Sequence, residues 1–213
     1  MKSLVLAAVI ACLGIAGCVA PINVRNAERH AQAGYAAQRN GDWETARRQF
    51  AQAVVNADLG GADLHGKATV NYEYGRALGV TCFYEESEKY LLRSKEFDEQ
   101  QGQSPYLALF ELGLLAEKQK QYAKAASYFS QLIPLMEKAG LRTKYPLGVV
   151  EAYEQYANSL QEIGKGHEAG LMRQQANSVR AENPDAKPFG RLTPYGSACT
   201  KPPNATADKG VVR

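Results

Sequence analysis

The sequence predicts an all-α protein: a superhelical array of about four helix–turn–helix repeats, followed by an irregular C-terminal tail. Three observations predict it. Between Gly34 and Ala53 the small residues Gly34 and Ala37 precede a breaker at Gly41-Asp42, and Trp43, Ala46, Phe50 and Ala53 follow, so that two short helices can meet with small residues where their backbones approach. The same order of sizes returns from near Ala68, Tyr106 and Val150, and self-similarity at a period of a few tens of residues marks a stacked array. Helical periodicity then stops after Asn183-Pro184, where Pro188, Gly190, Pro194, Gly196, Pro202 and Pro203 interrupt regular structure.

Taken in order, residues 1–17 read as a targeting segment. Lys2 supplies a positive start and Leu4 to Ile15 an uncharged apolar run, shorter than the roughly 20 apolar residues of a spanning helix. The run closes on Ile15-Ala16-Gly17-Cys18, which resembles a bacterial lipobox. That resemblance implies that Cys18 becomes the first mature residue and carries acyl chains such as palmitate. An ordinary secretory leader cut near Ala20, with Cys12 and Cys18 incidental, is the other reading. Val19 stands where an aspartate resembles an inner-membrane retention signal, so the resemblance favours the outer membrane, facing the periplasm. Residues 18–26, polar and broken by Pro21, suit a tether.

The repeat domain is expected over 27–182. Counting Gly34 as position 8 places Gly41 at 15, Trp43 at 17, Ala46 at 20, Phe50 at 24 and Ala53 at 27. The second repeat, from near Ala68, has Asn71, Tyr74, Gly75, Leu78, Tyr84, Ser87, Leu91 and Ser94 at the corresponding sites. Ser104 and Pro105 are expected to cap and open the third, which carries Leu109, Leu112, Gly113, Ala116, Tyr122, Ala125, Phe129 and Leu132. Pro134 is expected to kink or shorten its second helix. The fourth, from near Val150, has Tyr153, Tyr156, Ala157, Leu160, Ala169 and Ala176, but Gly166 and Arg173 stand where large apolar residues sit elsewhere. A polar last repeat suits an end cap. The 183–213 tail is expected to pack its Arg191–Gly196 stretch on the last helices and to lack order from Lys201 onward.

These spacings resemble the tetratricopeptide repeat (TPR), whose helix–turn–helix of about 34 residues fixes small and large positions. The resemblance implies that first-helix positions 2, 5, 9, 12 and 13 line a concave protein-binding groove. On this chain those positions include Glu28, Tyr35, Gln38, Arg39, Tyr72, Arg76, Phe110, Leu114, Glu117, Lys118, Glu154, Asn158, Gln161 and Glu162. Aromatics and arginine in a concavity are hot-spot residues; packing of Tyr72, Phe110 and Leu114 on a neighbouring repeat or on the tail is the other reading. The Lys and Asn set that clamps a C-terminal carboxylate in some relatives is absent, with Ala31 and Tyr35 in its first two places.

Other chemistries find little footing. A net charge of +3, or +2 once Lys2 leaves with the leader, is no nucleic-acid footprint. Gly61-Ala62-Asp63-Leu64-His65-Gly66-Lys67-Ala68 lacks the Ser or Thr and the preceding strand of a P-loop. His30, His65 and His167 are scattered, so no metal site is expected. Glu85, Glu86, Glu111 and Glu117 read as solvated helix faces. No catalytic residue and no cofactor are expected. Cys82, in the second turn, and Cys199, in the tail, are able to form a disulfide that pins the tail to the array, or to remain free thiols far apart.

The expected function is therefore binding without catalysis. The resemblance implies a lipid-anchored adaptor or assembly factor for an envelope protein, as in lipoproteins serving secretins, pili, barrel assembly or peptidoglycan enzymes, with self-association a further option. An envelope enzyme or small-molecule binder, with its site between the array and the tail around Tyr195 and Cys199, is the alternative.

Overall fold

The computed structural model describes residues 2–187 and 192–199, with side chains from residue 20 onward. Every regular element among them is an α-helix: α1 (Lys2–Arg39), α2 (Trp43–Leu59), α3 (Leu64–Val80), α4 (Tyr84–Gln100), α5 (Tyr106–Lys118), α6 (Tyr122–Lys138), the single turn α7 (Leu141–Lys144), α8 (Pro146–Glu162) and α9 (Gly166–Glu182). The helices pair as α1–α2, α3–α4, α5–α6 and α8–α9.

Each pair is joined by the same short turn. Its middle residue is left-handed: Gly41 (φ 75°), Cys82 (72°), Lys120 (59°) and Gly164 (80°). The next residue's N–H reaches back five places, Asp42 to Ala37, Phe83 to Leu78, Gln121 to Ala116 and Lys165 to Leu160, the pattern that satisfies the last carbonyls of a helix. Glycine adopts this conformation freely, whereas a residue with a β-carbon loses about 1–2 kcal/mol there. Cys82 and Lys120 bear that cost.

Inside each pair a glycine of the first helix receives a large side chain of the second. A β-carbon on Gly34, Gly75 or Gly113 would fall 2.6, 2.8 or 2.5 Å from Phe50, Leu91 or Phe129, and all three large residues are fully buried. Burying each contributes about 1.5–3 kcal/mol. The fourth pair sets Ala157 against an exposed Arg173 and so lacks this knob. Between pairs, first helices approach directly, α3 against α5 and α5 against α8. Second helices are spanned by long side chains, Asp58 to Arg93 and Glu88 to Lys124. The array thus curves with its first helices inside.

Several local expectations are corrected. Residues 18–26 are not a loose tether but part of α1, with Pro21 inside the helix. Gly60 at the end of α2 gives the reason: it lies so close to the Ala20 and Val24 backbones that a β-carbon would not fit. Pro134 does not shorten α6, because it and Ser130, whose carbonyl loses its helical partner, both lie on the exposed face. Ser104 makes no capping bond, since Pro105 takes the cap position and the Ser104 hydroxyl is buried without a partner. Helices α3 and α8 begin four residues before the positions where the repeat pattern starts, at Leu64 and Pro146. Asp63 supports the earlier start of α3 by accepting the Gly66 N–H at 2.7 Å. The stretch from Lys201 onward lies outside the described residues. No helix among the described residues is long and apolar enough to cross a membrane.

Candidate functional site

Residues 192–199 of the tail do not pack on the last helices. They cross the inner face of the second and third repeats, where α3 and α5 lie side by side. Arg76 of α3 is the centre of the arrangement. Its Nε donates to Thr193 Oγ1 at 2.9 Å and lies 3.2 Å from Glu111 Oε1 of α5, while a terminal nitrogen donates to Glu73 Oε2 at 2.9 Å. Its guanidinium stacks over the Tyr72 ring, 5.4 Å from the centroid. Glu111 collects the hydroxyls: Tyr72 (3.3 Å) and Thr193 (2.8 Å) donate to Oε1, and Tyr195 (2.8 Å) donates to Oε2.

The tail backbone is held as well. Gly196 and Ala198 donate their N–H groups to the carbonyls of Gly79 and Val80 at the end of α3, each at 3.1 Å, and the Gly79 carbonyl also accepts the Cys82 N–H at 3.2 Å. The Tyr195 ring occupies the space where a β-carbon on Gly79 would sit. Just beyond, Cys199 is bonded to Cys82, with Cα atoms 5.2 Å apart and a sequence separation of 117. Of the two readings of the thiols, the described structure adopts the bonded one.

Burial sets the electrostatics. Tyr195 and Tyr72 are pushed well above the ordinary phenol range by desolvation and then by the Glu111 charge. Burial also raises Glu73, against the opposing pull of Arg76. Burial alone would loosen the proton on Arg76, but Glu111, Tyr72 and Glu73 outweigh it and hold the guanidinium charged. Tyr35, from α1, is pushed up to about 12 by burial and by Glu73, and its ring meets Phe50 edge-on.

No family model matches the sequence, and no curated protein does. Solved structures do. BtubC (BKLC) from P. vanneervenii superposes with a TM-score of 0.70 at 15% identity, covering 78% of this chain and 67% of that one. A Podosopora anserina kinesin light chain with nearly identical TPR-like repeats gives 0.64 at 19%, covering 76% and 77%. MamA gives 0.61 at 18%, covering 76% and 82%. The chain folds as a TPR-like repeat array. Identities this low speak to the fold alone.

Within the array, the expected groove residues fall into two groups. Tyr72 and Arg76 face inward and hold the tail; Leu114 is buried in the same apolar cluster as Tyr195, and the path of Gly196 runs against the Lys118 side chain. Phe110 is half-buried, edge-on to Phe129. Arg39, Asn158, Gln161 and Glu162 remain exposed, as does Glu28. Glu154 is tied to Arg180. Leu107 lies at position 2 of the third repeat and is 50% exposed, although the sequence did not single it out.

Two acids read as solvated are not. Glu111 is 4% exposed. Glu117 accepts from Ser159 of α8 at 2.7 Å and is raised to about 7 by burial, with Glu151 adding to the shift and Ser159 opposing it. Glu85 and Glu86 are exposed, as expected. The P-loop-like stretch lies across the α2–α3 turn, with Gly66 inside α3. At the alternative site, the Tyr195 ring packs over Gly79. Glu73, Gly79 and Thr193 were the residues missed; Glu111 was read as solvated, and Tyr195 was named only for the alternative site. The one available signal was Gly79, a glycine at position 12, where the other repeats carry Gln38, Glu117 and Gln161.

Proposed function

We propose that this chain is a lipid-anchored adaptor that holds an envelope protein partner along the inner face of its repeat array, without catalysing a reaction. The observation that carries the reading is that this face already grips a non-helical piece of polypeptide through side-chain and main-chain hydrogen bonds at once. A surface that satisfies both kinds of group on one strand of chain is equipped for peptide recognition. Leu107, Phe110 and Asn158 extend that face beyond the tail and offer apolar and amide contacts.

The anchor rests on the Ile15-Ala16-Gly17-Cys18 motif, with acyl chains on Cys18 and Val19 directing the protein to the outer membrane. A Cys82–Cys199 bond fits an oxidising compartment such as the periplasm. The anchor would confine the search for a partner to the membrane surface and raise its effective concentration there.

The test is crosslinking and capture from intact cells with the native lipidated protein, beside a full-length variant carrying Leu107→Ala and Asn158→Ala. These exposed positions leave the core and the tail contacts in place. A partner captured by the native chain and lost with the variant supports the adaptor. Equal capture by both removes the groove from the account, and light scattering that shows concentration-dependent mass assigns the face to self-association.

A further inference from the structure

We infer that Tyr72, Arg76, Gly79 and Glu111 form a binding site for a turned protein segment carrying a threonine and a tyrosine two residues apart, with residues 192–199 as its latched internal occupant. This deepens the adaptor reading and rests on it only in placing the site on the same face.

The site is built without its occupant. Arg76 pairs with Glu73 and Glu111, and Tyr72 bonds Glu111, all within α3 and α5. Withdrawing the tail leaves those contacts standing and opens the space over Gly79. What the occupant adds is specific: a Thr193 hydroxyl that bridges Arg76 Nε and Glu111 Oε1, a Tyr195 hydroxyl on Oε2, and two N–H groups on the carbonyls of Gly79 and Val80. The intervening Pro194 is exposed and touches none of these groups in the hydrogen-bond network, so the requirement is Thr-x-Tyr leading into a turn, closed here by the Ser197 N–H on the Pro194 carbonyl with Gly196 left-handed. Phenylalanine in place of the tyrosine would fill the Gly79 space and leave Oε2 without its donor. Losing one hydrogen bond to a buried charged group weakens binding by about tenfold or more.

The latch decides access. While Cys199 is bonded to Cys82, the tail competes from an effective concentration of about millimolar or higher, which a dilute segment in trans does not overcome. A dithiol reductant opens it: one thiolate attacks the Cys199 sulfur and expels Cys82 as a thiol, and the second thiol then displaces Cys199. Two electrons and two protons end on the chain's cysteines and the disulfide ends on the reductant.

The experiment measures binding of a labelled synthetic peptide, Arg-Leu-Thr-Pro-Tyr-Gly-Ser-Ala, to the full chain. The vacated protein carries Cys82→Ser, Cys199→Ser, Thr193→Ala and Tyr195→Ala. It is expected to bind at micromolar concentration, at least tenfold tighter than the oxidised wild type. Adding Glu111→Gln, or replacing the peptide tyrosine with phenylalanine, is expected to cost about tenfold or more. A folded vacated protein that ignores the peptide overturns the inference, as does binding indifferent to Glu111. Wild-type chain reduced with dithiothreitol is the second arm: the peptide should speed hydrogen exchange at the Gly196 and Ala198 amides, and unchanged exchange also overturns the site. Peptide binding without any partner captured in cells sinks the adaptor reading alone. Partner capture through the groove without peptide binding sinks this inference alone.

Discussion

The ring of Tyr195 lies in the hollow left by the missing side chain of Gly79, in a helix whose other repeats place glutamine or glutamate at the same position. Gly79→Ala therefore has opposing effects. Helix propensity improves by about 1 kcal/mol, while overpacking against the Tyr195 ring and the Ser87 hydroxyl costs about 1–3 kcal/mol. Net destabilisation is expected in denaturant unfolding, with faster hydrogen exchange at Gly196 and Ala198. A stabilised protein with unchanged exchange would show that the ring does not depend on the hollow.

Glu111→Gln is expected to be more damaging than any surface acid substitution. It replaces one of the two acceptor oxygens shared by three hydroxyl groups with an NH2 donor and removes one of the two carboxylates that balance Arg76. Breaking a buried ion pair costs about 3–5 kcal/mol; the remaining Glu73 contact places the expected loss near the lower end. Equilibrium unfolding beside Glu85→Gln, which sits exposed, makes the comparison, and equal losses would refute the assignment.

Cys82 sits where two of the other repeats use glycine, and its left-handed backbone predicts a contrast between two substitutions. Both Cys82→Ser and Cys82→Gly remove the disulfide, but only glycine relieves the turn. Cys82→Gly is expected to be the more stable by about 1 kcal/mol, read from unfolding midpoints under identical conditions. Relative to the oxidised wild type, both should lose up to about 4–5 kcal/mol, as closing a loop of roughly a hundred residues implies.

Glu117 gives stability a pH dependence. Its carboxyl is raised from 4.5 to about 7 in the folded chain, so the unfolded state releases its proton first as pH rises. Its contribution is fully present below pH 4.5 and is lost as pH climbs through about 7. Thermal unfolding from pH 4 to 8 is expected to show a decline over that window that Glu117→Gln flattens. An identical profile for both proteins would place the slope elsewhere.

The pairing of helices was legible because the knob and its hollow are four recognisable residue sizes repeated in order, Gly34 with Phe50 and Gly113 with Phe129 being the plainest. The turns were legible where Gly41 and Gly164 mark them and obscure at Lys120, whose left-handed backbone no composition rule anticipates. The path of the tail was not legible. It depends on a hollow at Gly79, an acceptor at Glu111 and a ring at Tyr195, and the last two are 84 residues apart. Nothing in the local pattern distinguishes Glu111, buried, from Glu85, exposed, because both read as a polar residue on an amphipathic helix. The extension of α1 through Pro21 escaped for a related reason: its support comes from Gly60, on another helix.

Repeat arrays are nearly one-dimensional, with each unit leaning only on its neighbours, so an outer unit can peel away while the rest stays folded. The bond from Cys82 to Cys199 changes that connectivity. Helices α4 to α9 all lie inside one covalent ring, and the strand that closes it is stitched to the end of α3. The weakly knobbed fourth pair is thereby denied independent fraying. In the oxidised chain it is expected to melt in one cooperative transition with the second and third pairs, α3 being tied in by its hydrogen bonds to Gly196 and Ala198 and the first pair by neither bond nor ring.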